Sequence, residues 1–322
     1  MKIGLCVPIM GQYADRRALK EFAIRAEAAG FDSLWVQEHF MWRDVPKTGY
    51  AGAPGVPMPK PYQSMLQPLE TLSFCAAVTE KVQLGTSILV TAYHRPLMLA
   101  RRMATLDVIS GGRALCGLGL GWMAEEYEHM DTPFKQRGAR YTDFVKAMKA
   151  GWAPDPVNYD GPYFNFPECH SSPKPLQRDE NGNPCVPILT GGANPLSLER
   201  CAEFAQGWNP AGTPAAVTMQ IKQTLDGMVK AKGRNVTLPA YLRIFAVPTM
   251  PGVDPGDPGF FGRMAWMGDA DAMAKKTQEC VDAGIDHIII ETNFWEQIPS
   301  SQNWIDQVDF FAPCVDVAHA GA

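Results

Sequence analysis

A chain of 322 residues with 46% hydrophobic and 20% charged side chains has apolar material for a large core and none of the marks of a disordered segment. A net charge of -5 without a Lys/Arg cluster argues against a phosphate backbone as the main ligand, because non-specific nucleic-acid affinity rests on clustered cations. No run approaches the ~20 apolar residues of a membrane helix, and the eight cysteines form no C-x-x-C pair, as expected of reduced thiols in a cytoplasmic protein.

The apolar opening is too short for a signal peptide and is interrupted by Pro8, so it reads as a strand over 2–8. Helix 16–29 stops at Gly30, and a second strand covers 33–36. Helix 68–79 leads to strand 82–90, and helix 97–109 starts after Pro96. Gly111-Gly112 turns the chain into strand 113–118, and helical spacing returns over 137–152. Strand 186–190, helix 195–205, strand 207–209, helix 214–231 and strand 240–247 follow, then helix 269–283 and strand 287–291. This alternation predicts repeated βα units around a parallel sheet, either a closed barrel or a doubly wound sheet.

Three connections rich in Pro and Gly, 43–67, 153–185 and 248–266, exceed ordinary loop length. Two of them follow strands, which in a barrel puts them at the catalytic rim as lids. The aromatics Tyr50, Tyr62, Tyr93, Phe260, Phe261 and Trp266 would give that rim an apolar pocket.

Glu38-His39-Phe40 ends the second strand, where His39 could exchange a proton near neutral pH. Gly117-Leu118-Gly119-Leu120-Gly121-Trp122 leaves the fourth strand without dinucleotide-fold spacing, and its glycines would let a flat ring lie against the backbone beside Trp122. Thr190-Gly191-Gly192-Ala193-Asn194-Pro195 enters a helix with Asn194 at the N-cap, a cradle suited to phosphate. No set of residues is spaced for a metal, no strand ends in a Schiff-base Lys, and no G-x-S-x-G elbow is present. An organic redox cofactor suits these remnants best.

Leu84-Gly85-Thr86-Ser87-Ile88-Leu89, Arg95-Pro96-Leu97, Ala104-Thr105-Leu106-Asp107, Ser110-Gly111-Gly112-Arg113 and the glycine run to Trp122 together resemble the bacterial luciferase-like flavin oxidoreductases. Gly161-Pro162-Tyr163-Phe164, Pro173-Lys174-Pro175, Gly191-Gly192 and Gly207-Trp208 extend the likeness to about residue 210. The resemblance implies one TIM (β/α)8 barrel over 1–322 that binds FMN or the deazaflavin coenzyme F420 at its C-terminal mouth. Ser87 and Ile88 would lie on the bulged third strand beneath the ring, with Gly119 and Trp122 beside it. Thr190, Gly191 and Gly192 would meet the phosphate, His39 would serve catalysis, and Glu38, Trp42 and Tyr93 would line the substrate pocket.

Some deazaflavin-dependent relatives carry Glu where this chain has Trp122, a departure from the sugar-phosphate dehydrogenase pattern. The implied activity is hydride transfer to, or monooxygenation of, a small organic substrate, in a cytoplasmic homodimer without nucleic-acid or membrane partners. The alternatives are a flavin-binding barrel without turnover and a barrel lyase.

Overall fold

Short apolar runs that alternate with amphipathic stretches build a parallel sheet and a layer of helices in the computed structural model, which describes residues 1–253, 259–262, 264–294 and 298–320. The chain runs through β1 (Lys2–Cys6), α1 (Arg16–Ala28), β2 (Ser33–Val36), α2 (Pro68–Ala76), β3 (Gln83–Thr86), β4 (Leu89–Val90) and α3 (Pro96–Ile109). It continues through β5 (Ala114–Gly119), α4 (Ala124–His129), α5 (Arg137–Trp152), β6 (Val157–Asp160), β7 (Asn165–Cys169), β8 (Ile188–Gly191), α6 (Pro195–Phe204) and β9 (Gly207–Asn209). Helix α7 (Ala215–Ala231), β10 (Tyr241–Pro248), β11 (Trp266–Gly268), α8 (Ala270–Ala283), β12 (His287–Glu291) and α9 (Ser301–His319) complete it.

The strands curl in the order β11-β10-β12-β1-β2-β3-β5-β8-β9, all neighbours parallel, with β4 also on β5. At the two sides of the curl, isolated parallel bridges join Trp208 to Ala240 and Ala211 to Arg243. The predicted strand ends and helix starts fall within a few residues of those observed, with the caps in their expected roles. Asn194 accepts from the Ser197 N–H, and Gly30 and Gly284 adopt positive φ after α1 and α8.

Some expectations differ from the structure. The strand predicted over 82–90 splits, because the five residues from Gly85 to Leu89 face four on β5, from Leu115 to Leu118. One extra residue makes this a bulge, and it takes Ser87 and Ile88 out of the pairing with β5, while the Ser87 N–H still donates to the Val36 carbonyl at 2.7 Å. The predicted loop 153–185 contains the antiparallel hairpin β6–β7. Helices α4 and α9 lie outside the predicted elements, α9 despite an apolar stripe through Trp304, Ile305, Val308, Phe311 and Val315, because Pro313 interrupts it. Of the predicted loop 248–266, residues 254–258 and 263 lie outside the described residues, as does the side chain of Phe261.

Inside the curl, Cys6, Trp35, Leu115, Leu189 and Ile289 form an apolar layer. Trp35 is fully buried, and its space exists because a Cβ on Gly85 would stand 2.3 Å from its ring. The indole donates to Ser33 Oγ at 2.7 Å, and that hydroxyl lies 2.7 Å from His287 Nε2. Burial, more than any other cause, pushes the His287 imidazole down from its ordinary 6.5 to about 3, so it is neutral in the folded protein.

Two outcomes follow from this packing. Gly85→Ala forces a methyl group into the Trp35 ring and is expected to cost about 2–3 kcal/mol in urea unfolding; an unchanged midpoint would show that the ring moves aside freely. Because the folded pKa of His287 is lowered, the unfolded chain takes up its proton first as pH falls below 6.5. His287 therefore removes stability by up to about 1.4 kcal/mol per pH unit between pH 6.5 and about 3, and above 6.5 it removes none. His287→Gln should flatten the pH dependence of stability in that window, and two superimposable profiles would refute the assignment.

Candidate active site

The carboxyl ends of the strands converge on a cavity of about 620 Å³. Its lining includes each predicted cofactor contact: Ser87, Ile88, Gly119, Trp122, Thr190, Gly191 and Gly192. On one side lies the bulge between β3 and β4, where the Ser87 hydroxyl donates to Asn209 Oδ1 at 2.8 Å. Facing it is the glycine turn after β5. A Cβ on Gly119 would stand 2.6 Å from Ile88 Cδ1 and one on Gly121 2.7 Å from Val90 Cγ1, so only glycine leaves that wall flat.

The far end of the cavity is the entry to α6. Gly192 has φ +88°, its carbonyl accepts from Trp208 Nε1 at 2.8 Å, and a Cβ there would meet Ser197 Oγ at 2.8 Å. The N–H groups of Gly192 and Ala193 have no acceptor among the described residues, and they stand at the positive end of the helix. Thr190 turns its hydroxyl to Tyr141 Oη, 3.1 Å away, so the idle donors at this end are backbone groups with Arg200 beside them.

Arg243 of β10 closes the cavity from below. Its guanidinium donates to the Ser87 carbonyl at 2.7 Å and to Glu291 Oε2 at 2.5 Å, with 12% of the side chain exposed. Burial opposes that charge, yet the Glu291 carboxylate outweighs it and holds the guanidinium charged.

His39 stands next to the cavity. Its ring lies 5.2 Å from both Trp122 and Tyr62, and Nδ1 is 2.9 Å from Glu126 Oε2. Glu126 is fully buried on α4 and also accepts from the Tyr93 hydroxyl and, through Oε1, from the N–H groups of Phe40 at 2.9 Å and Met41 at 3.2 Å. Burial pushes its carboxyl up, but the bonds from His39, Tyr93 and Phe40 prevail and hold it below the ordinary range. A carboxylate only accepts, so Nδ1 carries a hydrogen and Nε2 is left without this partner; His39 itself adjoins the cavity through Trp122 and is not part of its lining.

The other predicted pocket residues point elsewhere. Glu38 is buried, accepting from the Val90 N–H at 2.8 Å and pairing with His94 Nε2 at 3.0 Å. Trp42 donates to the Pro59 carbonyl at 3.2 Å and braces the 43–67 loop, while Tyr93 is spent on Glu126. None of these three lines the 620 Å³ cavity. Of the predicted rim aromatics, Tyr50 and Tyr62 are buried against each other, with Tyr50 5.3 Å from Trp122 and 5.6 Å from Phe260. Trp266 lines a separate cavity of about 330 Å³ with Met264 and Cys280.

Sequence reading missed Glu126, His94, Asn209, Arg200 and Arg243. Arg243 left a trace, a cation within the apolar run Tyr241-Leu242-Arg243-Ile244-Phe245. Glu126 left none, because it follows Glu125 in an acidic helix that reads as a solvated face, while Glu125 holds the Lys47 N–H at 2.8 Å. No group of three or more His, Cys, Asp or Glu able to hold a metal exists among the described residues, and all eight cysteines are free.

The luciferase-like monooxygenase family matches residues 1–250. An uncharacterized protein of Mycobacterium tuberculosis is 32% identical over 189 residues, 57% of this chain and 64% of that protein. An F420-dependent glucose-6-phosphate dehydrogenase of Amycolatopsis mediterranei is 29% identical over 60% of this chain and 52% of its own length. The matched part of the chain thus spans between about half and two thirds of these relatives. Among solved structures, an F420-dependent secondary alcohol dehydrogenase in complex with an F420-acetone adduct superposes with a TM-score of 0.76 at 19% identity, covering 99% of both chains, which shows a shared fold. The chain belongs to the luciferase-like monooxygenase family.

Proposed function

We propose that the protein is an oxidoreductase that holds F420 or FMN in the 620 Å³ cavity and acts on a small organic substrate, its curled sheet being the closed (β/α)8 barrel of the family. The observation that carries this reading is the meeting, around one concave space, of a glycine-flattened wall, a bulged strand and a helix entry with idle N–H groups. The space lies within the 300–1,000 Å³ typical of ligand sites. The residues fit the group: Ile88 and Gly119 leave room for a planar ring, while Gly192, Ala193 and Arg200 suit a phosphate.

The bound coenzyme would supply hydride transfer, and FMN would in addition permit oxygen chemistry. The chain's own work is positional. Ser87 and Ile88 support the ring from the bulge, and Trp122 with Tyr50 and Tyr62 excludes water from the exposed side. His39 moves the proton at Nε2, with Glu126 fixing its tautomer and the direction of its ring. The monooxygenase description of the family and the F420-dependent relatives support both coenzymes equally.

Titrating the purified protein with FMN and with F420 under fluorescence detection is expected to give tight binding of one of them. Failure of both would end the proposal, and tight binding without turnover by any acceptor would leave a binding protein instead. His39→Ala should keep coenzyme affinity while lowering turnover by 10²-fold or more; unchanged turnover would remove His39 from the chemistry.

Glu126→Gln replaces an oxygen that accepts from His39 or from the Phe40 and Met41 N–H groups with an NH₂ that cannot. Nitrogen-15 NMR of the His39 ring should then show loss of the Nδ1–H tautomer, which a wild-type spectrum retained in the variant would contradict.

A further inference from the structure

Beside the coenzyme cavity lies a second one of about 250 Å³, whose lining includes Arg95, Arg137, Arg140, Thr91, Thr132 and Tyr127. The guanidinium of Arg137 sits 4.2 Å over the Phe134 ring, and that of Arg140 lies 5.2 Å from both the Tyr163 and Phe164 rings. A guanidinium stacked on a ring keeps its N–H donors in its own plane, so the stacking aims them without using them. Arg137 gives one donor to the Phe134 carbonyl at 3.2 Å, whereas the side chains of Arg95 and Arg140 make no hydrogen bond, and none of the three guanidinium groups is paired with a carboxylate among the described residues. Asp131, at the rim, is exposed and likewise unpaired.

Among the described residues, several other arginines are already committed. Arg113 spends its donors on Ser110, Thr79, Val82 and Ala76, Arg243 has Glu291, and Arg234 has Glu180. The idle set is also contiguous with the coenzyme cavity. Arg200 lines that cavity and touches the first turn of α5, where a Cβ on Gly138 would stand 2.4 Å from its Nη2. Tyr127 donates to the carbonyl of Leu120, so one turn walls both spaces.

We propose that this second cavity is an anion site for a phosphate or carboxylate group. At about 250 Å³ it falls below the size of a whole-ligand pocket, so it takes a charged group and not an entire substrate. The planar, forked donors suit either oxyanion. The group comes either from a free small oxyanion or from an acidic extension of a coenzyme seated next door. The first source is independent of the proposed oxidoreductase activity and the second rests on it.

The experiment compares wild type, Arg140→Gln and Arg137→Gln/Arg140→Gln, the single variant removing no hydrogen bond and so preserving the fold. In one arm, inorganic phosphate is titrated by calorimetry and thermal shift at low ionic strength. Phosphate also suits the α6 entry, so a binding event lost in both variants is the one that counts. In the other arm, F420 with its glutamyl tail is compared with its tail-less deazaflavin chromophore.

A free-anion site predicts a phosphate-induced rise in melting temperature that is absent from both variants and fades with salt. An extension site predicts that wild type prefers the tailed coenzyme by 10-fold or more and that the variants erase the preference. Equal behaviour of wild type and variants in both arms overturns the proposal. If no coenzyme binds at all, the phosphate arm alone decides it, and a flat response there overturns it too.

Discussion

A guanidinium almost shut inside an apolar sheet must find a carboxylate, and the pairing of Arg243 with Glu291 at 2.5 Å is the constraint on which the rest of the mouth is built. Arg243 reaches from β10 to the Ser87 carbonyl in the bulge, and Glu291 passes the network on to Asn293 through Oε1 at 2.6 Å and 2.9 Å. Asn293 in turn caps the exit from β1, accepting from Ile9 and donating to Val7, each at 3.0 Å. One buried charge pair thereby fixes the ends of β1, β3, β10 and β12 relative to one another. Either member alone would be a buried charge without compensation, which costs far more than the pair contributes.

Above that network, shape is set by what is missing. The extra residue between Gly85 and Leu89 is tolerated because Gly117 lets the backbone of β5 approach: a Cβ there would stand 1.9 Å from the Thr86 carbonyl, and the Thr86 hydroxyl donates to the Gly117 carbonyl at 2.9 Å. The bulge presents Ser87 and Ile88, and the glycines opposite leave the gap open. Local sequence, strand register and cavity shape are therefore one fact seen at three scales.

The eight principal strands, β1, β2, β3 with β4, β5, β8, β9, β10 and β12, were legible because each is an apolar run bounded by turn residues, and the α6 entry was legible because capping chemistry is local. The motif residues were legible too, although some serve the frame. Asp107 accepts from Leu176 and Gln177 to anchor the long 153–185 connection, and Arg113 saturates its donors on the end of α2. What stayed hidden depends on contacts far apart in sequence. Glu126 is 87 residues from His39 and Arg243 is 156 from Ser87, and no periodicity encodes such pairings. Glu38, Trp42 and Tyr93 stand at the right strand ends, but which way a strand-end side chain turns is decided by its distant partner.

The two buried carboxylates at the mouth divide the work of their histidines. Glu38 orients His94 toward the arginine-lined cavity, and Glu126 orients His39 toward the aromatic wall. On that wall, burial pushes the hydroxyls of Tyr50 and Tyr62 well above their ordinary range, so both stay protonated at neutral pH and bond to each other at 3.2 Å. Trp122 occupies the place beside them with no acid to offer. An imidazole is a side-chain type suited to exchange a proton near neutrality, and a carboxylate held anionic at its back fixes the direction of the His39 ring through Nδ1. Preorganisation of this kind needs a rigid mount, and Glu126 supplies it by holding the Phe40 and Met41 backbone with the oxygen that His39 does not use.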